Sequence, residues 1–218
     1  MDWQDIVLYV AINAIPLVLA ITLHEAAHGA AAMHFGDRTA WMLGRVSLNP
    51  ARHIDPVGTL LIPLVLLVIS KGGFLFGWAK PVPVNFENLR NPKRDMLWVA
   101  AAGPGANFAM LLGWILVAKL LLVSGAGGLA VEFWIRVADA GIIWNLSLAI
   151  LNLLPLLPLD GGRILASLLP NRLAYAYSRT EPYGMFILLV LVATPVLGWI
   201  LGPVFAAGRR AAYSLLGL

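Results

Sequence analysis

Two histidines and a glutamate stand close together in the first apolar stretch of the chain. His24, Glu25 and His28 form the sequence H-E-x-x-H. Residues four apart lie on one face of an α-helix, so both imidazoles can bind one metal ion while Glu25 is turned away from them. In sites of this kind the glutamate acts as general base toward metal-bound water. Imidazole ligands with an open coordination position favour zinc.

The surroundings of this motif favour a functional site over an accidental meeting of polar residues. The stretch that contains it is otherwise strongly apolar. An ionisable side chain inside a membrane costs on the order of a few kcal/mol, and such groups mark function by default. Three of them within five residues therefore indicate a site.

Two histidines need a third ligand, and three residues come into question. His34 continues the spacing H-E-x-x-H-x-x-G-x-x-H, but Ala31 stands where that pattern needs glycine. In an unbroken helix His34 lies about 9 Å beyond His28 along the axis, so we expect it to be an interfacial polar residue. We expect His53 to be an interfacial loop residue, with a supporting role near the metal left open.

Asp160 is the better candidate. It follows an apolar stretch broken by Pro155 and Pro158. Unwound backbone is tolerated at membrane depth only where it faces protein or a cavity. The alternative interpretation is an N-cap for a short helix beginning near Gly161, which accounts for an aspartate but not for its depth.

Composition places the chain in a membrane. Of its 218 residues 60% are hydrophobic and 12% are charged, whereas an average soluble domain is about 25% charged. An ordinary soluble enzyme, a disordered chain and a nucleic-acid module are thereby excluded. The net charge of +4 comes from basic residues between the apolar stretches, which favours membrane orientation over nucleic-acid binding. With no cysteine, there is no disulfide and no thiolate metal site.

Five apolar blocks organise the chain as an all-α polytopic membrane protein. The second block, 57–69, reaches only about 20 Å, short of a hydrocarbon core of roughly 30 Å, so we expect it to enter the membrane and return. The fifth contains Pro195 and Pro203, so the sequence allows either one kinked helix or two separate helical pieces. We predict a core of three helices at about 6–35, 96–123 and 141–160. The region between the first two helices covers about 44–90, and a C-terminal helix or helices lie at about 183–207.

Two segments of the 44–90 region have sequence patterns typical of β-strands. Residues 44–50 alternate as a short strand does, and residues 76–84 have an extended pattern whose prolines allow only an edge strand. We therefore predict short membrane-associated β-strand structure here, beside the re-entrant block.

Depth and charge predict the same topology. His24 and Asp160 each lie about 27–29 Å along their blocks, so they meet only if the first and fourth blocks run in the same direction. A re-entrant second block gives that order. It also collects eleven of the fifteen basic residues on one side, as the positive-inside rule expects for the cytoplasm. These are Arg38, Arg45, Arg52, Lys71, Lys80, Arg90, Lys93, Arg94, Arg163, Arg172 and Arg179.

The sequence resembles the site-2 protease family of intramembrane zinc metalloproteases. The resemblance rests on the H-E-x-x-H motif, on 102–107 (A-G-P-G-A-N), on 152–155 (N-L-L-P) and on 159–161 (L-D-G). It implies one zinc ion held by His24, His28 and Asp160, with Glu25 activating water. It also implies that Asn152 helps to hold substrate or the developing oxyanion, with a helix-packing amide as the alternative. We interpret Asn145 as a packing residue.

The resemblance further implies a single domain over 1–218 of the compact branch, without a PDZ or other regulatory domain. Such an enzyme hydrolyses peptide bonds of transmembrane proteins within the lipid bilayer and binds no nucleic acid. The resemblance does not identify a gating or adaptor protein. We expect a multi-pass protein in the plasma (inner) membrane of a prokaryote, with its site toward the cytoplasm. The alternatives are a metal-binding transporter and a non-catalytic membrane scaffold.

Overall fold

The computed structural model describes residues 3–62, 65 and 80–217. Eight α-helices lie in these ranges, joined by short 3₁₀ turns and one π-helical segment. The helices are α1 (Trp3–His34), α2 (Thr39–Met42), α3 (Pro92–Val123), α4 (Leu129–Asn152), α5 (Asp160–Leu168), α6 (Asn171–Ser178), α7 (Glu181–Ala193) and α8 (Val196–Leu216).

Three of these helices are long and apolar enough to cross a membrane: α1, α3 and α4. Helices α7 and α8 reach that length and apolarity only as a pair and are bent by 78°. The bend lies at Thr194 and Pro195, where the chain becomes extended and proline removes a backbone donor. The expected all-helical membrane protein is thus confirmed, and the C-terminal block forms two helices rather than one kinked helix.

Polar contacts between the long helices fix their relative directions. The His24 side chain meets Asn107, and the His28 side chain meets the carbonyl of Val99, so α1 and α3 are antiparallel. Trp144 donates to Asn13 near the start of α1, and His24 and His28 near its end approach Asp160 beyond α4. Helices α1 and α4 therefore run in the same direction, as the equal depths of His24 and Asp160 required.

The segment between α1 and α3 leaves and rejoins the bundle at the same end. Arg90 N donates to Phe35 O across 3.0 Å. The fully buried Asp37 accepts from both the backbone and the hydroxyl of Thr39, from Asn85 N at 2.7 Å and from the Asn88 amide at 3.1 Å. We call this set of contacts the Asp37 clasp. Because of it, any excursion of the chain between residues 38 and 84 must return to the end of the bundle that it left.

The Asp37 clasp should make stability depend on acid. Burial raises the pKa of Asp37, but the hydrogen bonds from Thr39, Asn85 and Asn88 outweigh it and hold the pKa below its ordinary value of 3.8. A carboxylate with a depressed pKa stabilises the fold above its unfolded-state pKa, and that stabilisation is lost as the pH falls through the folded-state pKa. Asp37→Asn should therefore cost about 1–3 kcal/mol at pH 7, and this cost should shrink below about pH 4.

Thermal unfolding in nanodiscs between pH 7 and pH 3 measures this difference. The control is Glu87→Gln, an exposed carboxylate two residues from Asn85, which should leave the midpoint unchanged at each pH. A destabilisation by Asp37→Asn that stayed constant over the whole pH range would contradict the clasp.

The predicted strands are wrong for the part of the chain that the structure describes, which contains no strand. Residues 43–49 form turns and bends that lead into a 3₁₀ turn at Pro50–Arg52, because Gly44 has a positive φ of 65° and the Asn49 side chain caps that turn. Residues 80–85 have no regular structure. Pro81 and Pro83 lack the N–H groups that a ladder needs, and the N–H of Val82 binds a side chain on α1.

The re-entrant prediction for 57–69 lies partly outside the described residues. Asp55 caps a π-helical segment at Pro56–Leu61, accepting from Val57 N and Gly58 N. Residues 63, 64 and 66–79, which include the first part of the expected second strand, are outside the description.

Candidate metal centre

The two histidines of the motif lie on the buried face of α1. His24 and His28 are 7% and 9% exposed, and their Nε2 atoms are 3.0 Å apart. The helix runs without interruption to His34, so the i, i+4 spacing places both imidazoles side by side, with their rings edge to face.

Asp160 brings a carboxylate to the same point from α5. Its Oδ2 lies 3.2 Å from His24 Nε2 and its Oδ1 lies 3.3 Å from His28 Nε2. Asp160 is the first residue of α5 and Leu159 is the N-cap, with no capping bond from a side chain. The carboxylate therefore faces the histidines instead of capping its own helix.

Glycines after Asp160 allow α5 to begin against the unwound end of α4. A Cβ on Gly161 would lie 2.3 Å from Leu153 O, and one on Gly162 would lie 2.5 Å from Leu157 N. No real side chain fits at those distances, so the loop packs directly on the helix backbone. This contact sets the position of Asp160 across from α1.

The donor set fits a zinc ion. The ligand atoms of His24, His28 and Asp160 all lie within 4.8 Å of one another. Ligands about 2.0–2.1 Å from a tetrahedral zinc ion are about 3.3 Å apart, close to the 3.0–3.3 Å between these atoms. In the described part of the chain, the buried Asp160 Oδ2 has no hydrogen bond, which is costly unless it meets a cation. Two imidazoles and one carboxylate leave a fourth position for water or substrate.

The outer nitrogens of both histidines are held by α3. His24 Nδ1 lies 2.6 Å from Asn107 Oδ1, and His28 Nδ1 lies 2.8 Å from Val99 O. These contacts leave the two Nε2 atoms to point at Asp160. Close approach of α3 depends on Gly103, where a Cβ would lie 2.4 Å from His28 Nε2. In the sequence, Gly103 stands out only as part of the 102–107 motif, one turn before Asn107.

Glu25 lies beside the three candidate ligands and not among them. Its side chain is partly buried, and its Oε2 accepts a 2.8 Å hydrogen bond from the backbone N–H of Val82. The carboxylate therefore also fixes the position of residues 80–84 over α1. Sequence reasoning missed this contact, because the two residues are 57 positions apart.

The remaining candidates lie elsewhere. Asn152 is the last residue of α4, and its amide donates to Leu148 O at 3.0 Å, one turn back. His34 is exposed and packs edge to face on Phe35. His53 is buried, and its Nε2 donates to Ser47 O at 2.9 Å. In the part of the chain that the structure describes, none of the three belongs to the metal-binding group.

A groove of about 440 Å³ runs between α1 and α3 beside the H-E-x-x-H motif. Small side chains form most of its walls, and Val46–Leu48 closes one side. The alanines are Ala26, Ala27, Ala30, Ala106 and Ala109. Because Ala26 and Ala27 lie between Glu25 and His28 in the motif, the groove leads along the helix that carries the catalytic candidates.

Comparison with known proteins gives a consistent result. The family described as Peptidase family M50 matches residues 110–194. The chain is 36% identical to "Putative zinc metalloprotease YwhC" of Bacillus subtilis, over 97% of this chain and 96% of that protein. It is 30% identical to Rip2 of Mycobacterium tuberculosis, named in the same words, over 86% of this chain and 69% of that protein. Rip2 of Mycolicibacterium smegmatis is 29% identical over 83% and 66% respectively. No solved structure matches the chain.

Proposed function

The chain belongs to the M50 (site-2 protease) family of zinc metalloproteases, and from this membership we propose that its active centre is formed by His24, Glu25, His28 and Asp160. One observation carries the proposal: three ligand atoms converge within 4.8 Å of one another among helices long enough to cross a membrane. Buried ionisable groups in such helices are costly and are kept for function.

In this proposal His24, His28 and Asp160 hold the zinc ion, and Glu25 moves the proton. When bound, the ion supplies Lewis acidity and lowers the pKa of a water molecule at its open position. Glu25 accepts a proton from the attacking water and donates it to the leaving amine nitrogen. Its position one residue after His24 places it beside the ligands, so that the carboxylate is free to exchange that proton.

We propose that Asn152 stabilises the negative charge that develops on the scissile carbonyl oxygen. An amide nitrogen has two N–H donors, and the bond to Leu148 O uses only one of them. The second is free to donate to an oxyanion, which is the kind of interaction that strengthens in the transition state. The position of Asn152 at the end of α4, eight residues before Asp160, supports this role.

The substrate in this proposal is a membrane-embedded protein. A transmembrane helix shields its peptide bonds within its own hydrogen bonds, so it must unwind before water can attack. We infer that the unwound stretch occupies the groove between α1 and α3, where small apolar side chains leave room for a chain.

The proposed location is the plasma membrane of a prokaryote, with the site toward the cytoplasm. The contacts of Phe35 with Arg90 place the loops on both sides of the Asp37 clasp at one end of the bundle. Lys93 at the start of α3 binds Asn171, so the α5–α6 corner lies at the same end. The basic residues of these segments are thus collected on one side, as positive-inside orientation requires. The relatives' bacterial sources agree with a prokaryotic membrane.

Zinc removal tests the proposed function directly. The purified chain in liposomes should contain one zinc ion and cleave a tagged single-span reporter protein. Chelation should abolish cleavage and added zinc should restore it, because the ligands are supplied by the folded bundle itself. Zinc content by mass spectrometry and product bands on a gel measure the two properties separately.

Matched histidine variants complete this test. His28→Ala should lose both zinc and cleavage, whereas His34→Ala, an exposed histidine at the end of the same helix, should retain both. Cleavage that survived chelation would contradict the proposal. Zinc binding without cleavage of any reporter would favour the transporter or scaffold alternatives.

A further inference from the structure

Two asparagines lie in the middle of the bundle beyond the metal-binding group. Asn107 on α3 and Asn145 on α4 are both 0% exposed. Asn107 Oδ1 is 2.6 Å from His24 Nδ1, and Asn107 Nδ2 donates to Asn145 Oδ1 across 3.0 Å. The two amides therefore connect α4 through α3 to one of the proposed ligands on α1.

Backbone carbonyls at both ends fix the orientation of the amides. Asn145 Nδ2 donates to Gly141 O at 2.9 Å, and Asn107 Nδ2 also points to Ala20 O at 3.4 Å. A carbonyl oxygen can only accept, so each amide must turn its nitrogen toward its carbonyl. Rotating the Asn107 amide by half a turn would place its Oδ1 against Ala20 O and Asn145 Oδ1.

The orientation of Asn107 determines which ring nitrogen of His24 carries the proton. With the nitrogen of Asn107 committed to Ala20 and Asn145, its Oδ1 faces His24 and can only accept. His24 Nδ1 must then donate, which leaves the lone pair of a neutral imidazole on Nε2. That atom is the one that faces Asp160.

We propose that Asn107 and Asn145 are positioning residues, an asparagine relay that holds His24 in the tautomer and ring orientation that a zinc ligand needs. The proposal rests on the proposed function, in which His24 binds zinc. His28 receives the same support from the backbone carbonyl of Val99, so the relay supplies for His24 what the main chain supplies for His28. Such outer partners raise ligand basicity and fix ring orientation.

Burial argues against a packing role alone. A fully buried amide in an apolar bundle is costly unless its donors and acceptor are satisfied, and an apolar side chain of the same size would pack at lower cost. Here Asn107 makes three directional polar contacts, and its acceptor is used by a metal-ligand candidate. A polar pair elsewhere between α1 and α4, Asn13 with Trp144, makes no such contact and serves as the comparison.

Zinc affinity, measured by competition with a chromophoric chelator, tests the relay without an activity assay. Asn107→Leu is close in size and should lower zinc affinity about 10–100-fold. Asn107→Asp should recover only part of that loss, because one carboxylate oxygen accepts from His24 Nδ1–H while the other faces Ala20 O and Asn145 Oδ1, which also only accept. Asn145→Leu should give a smaller loss, since Ala20 O still orients Asn107. Asn13→Leu removes a polar contact between α1 and α4 and should leave zinc affinity unchanged.

Nitrogen NMR of the histidine-labelled chain supplies an independent reading. In the zinc-loaded wild type, His24 should carry its proton on Nδ1, and the signal moved by Asn107→Leu identifies that histidine. Equal zinc affinity in wild type and Asn107→Leu, or a wild-type His24 protonated on Nε2, would overturn the relay. A wild type that bound no zinc would instead overturn the proposed function. The position of the His24 proton in the metal-free chain would then decide whether the relay is correct.

Discussion

Glu25→Gln should bind zinc as tightly as the wild type and cleave a single-span reporter about 10²–10⁴-fold more slowly. Glutamine keeps the size of the side chain and an oxygen that can accept from Val82 N–H, so the segment at 80–84 should stay in place. It cannot accept a proton from water. The substitution therefore removes the proposed base and leaves the ligands His24, His28 and Asp160 intact.

Initial rates in proteoliposomes, together with zinc content, measure this effect. Glu25→Asp keeps a carboxylate on a shorter side chain and should retain more activity than Glu25→Gln. Glu132→Gln, an exposed carboxylate at the start of α4, should cleave at the wild-type rate. Full cleavage by Glu25→Gln would remove Glu25 from the mechanism, whereas loss of zinc from that variant would show that it acts through the metal site.

Gly103→Ala should abolish zinc binding, although it alters no ligand. The added Cβ would lie 2.4 Å from His28 Nε2 and 2.6 Å from His24 Cε1. Either α3 must move away from α1 or both imidazoles must turn. A metal site tolerates errors of only about 0.2 Å in its ligand distances, so either response should cost most of the zinc affinity and, with it, cleavage.

Gly105→Ala is the matched control for this substitution. Gly105 lies half a turn further along α3 and is exposed, and no other atom of the described residues lies within 4 Å of the added Cβ. It should bind zinc and cleave as the wild type does, with an unchanged unfolding temperature. A Gly103→Ala variant with wild-type zinc affinity would show that α3 does not approach the histidines as closely as the structure has it.

The parts of the site that sequence could predict follow from regular geometry. Helical periodicity places His24 and His28 side by side, and a constant rise per residue gives His24 and Asp160 the same depth. The first needs only an unbroken α1. The second holds only as far as Asn152, where α4 ends, because turns carry the chain from there to Asp160. The rejection of His34 follows from the same periodicity, and the structure leaves that residue exposed.

The parts that sequence could not predict depend on contacts between distant segments. The alternation in 44–50 suggested a strand, but a strand needs a partner with free backbone groups, and prolines and Glu25 remove those of 80–84. The role of Asn107 depends on which carbonyls lie nearby, namely those of Ala20 and, through Asn145, Gly141. No local pattern carries that information.

The Asp37 clasp has a consequence for how this chain tolerates insertions. Because hydrogen bonds hold Asp37 next to Asn85 and Asn88, the residues between them form a loop whose ends are already joined. Lengthening such a loop costs little, about 0.6 kcal/mol for each doubling of its length. The two helices that carry His24, His28 and Asn107 would keep their register. The clasp therefore predicts that a reporter or an extra recognition domain grafted into this interval, away from Val46–Leu48 and Val82, leaves the candidate metal centre undisturbed.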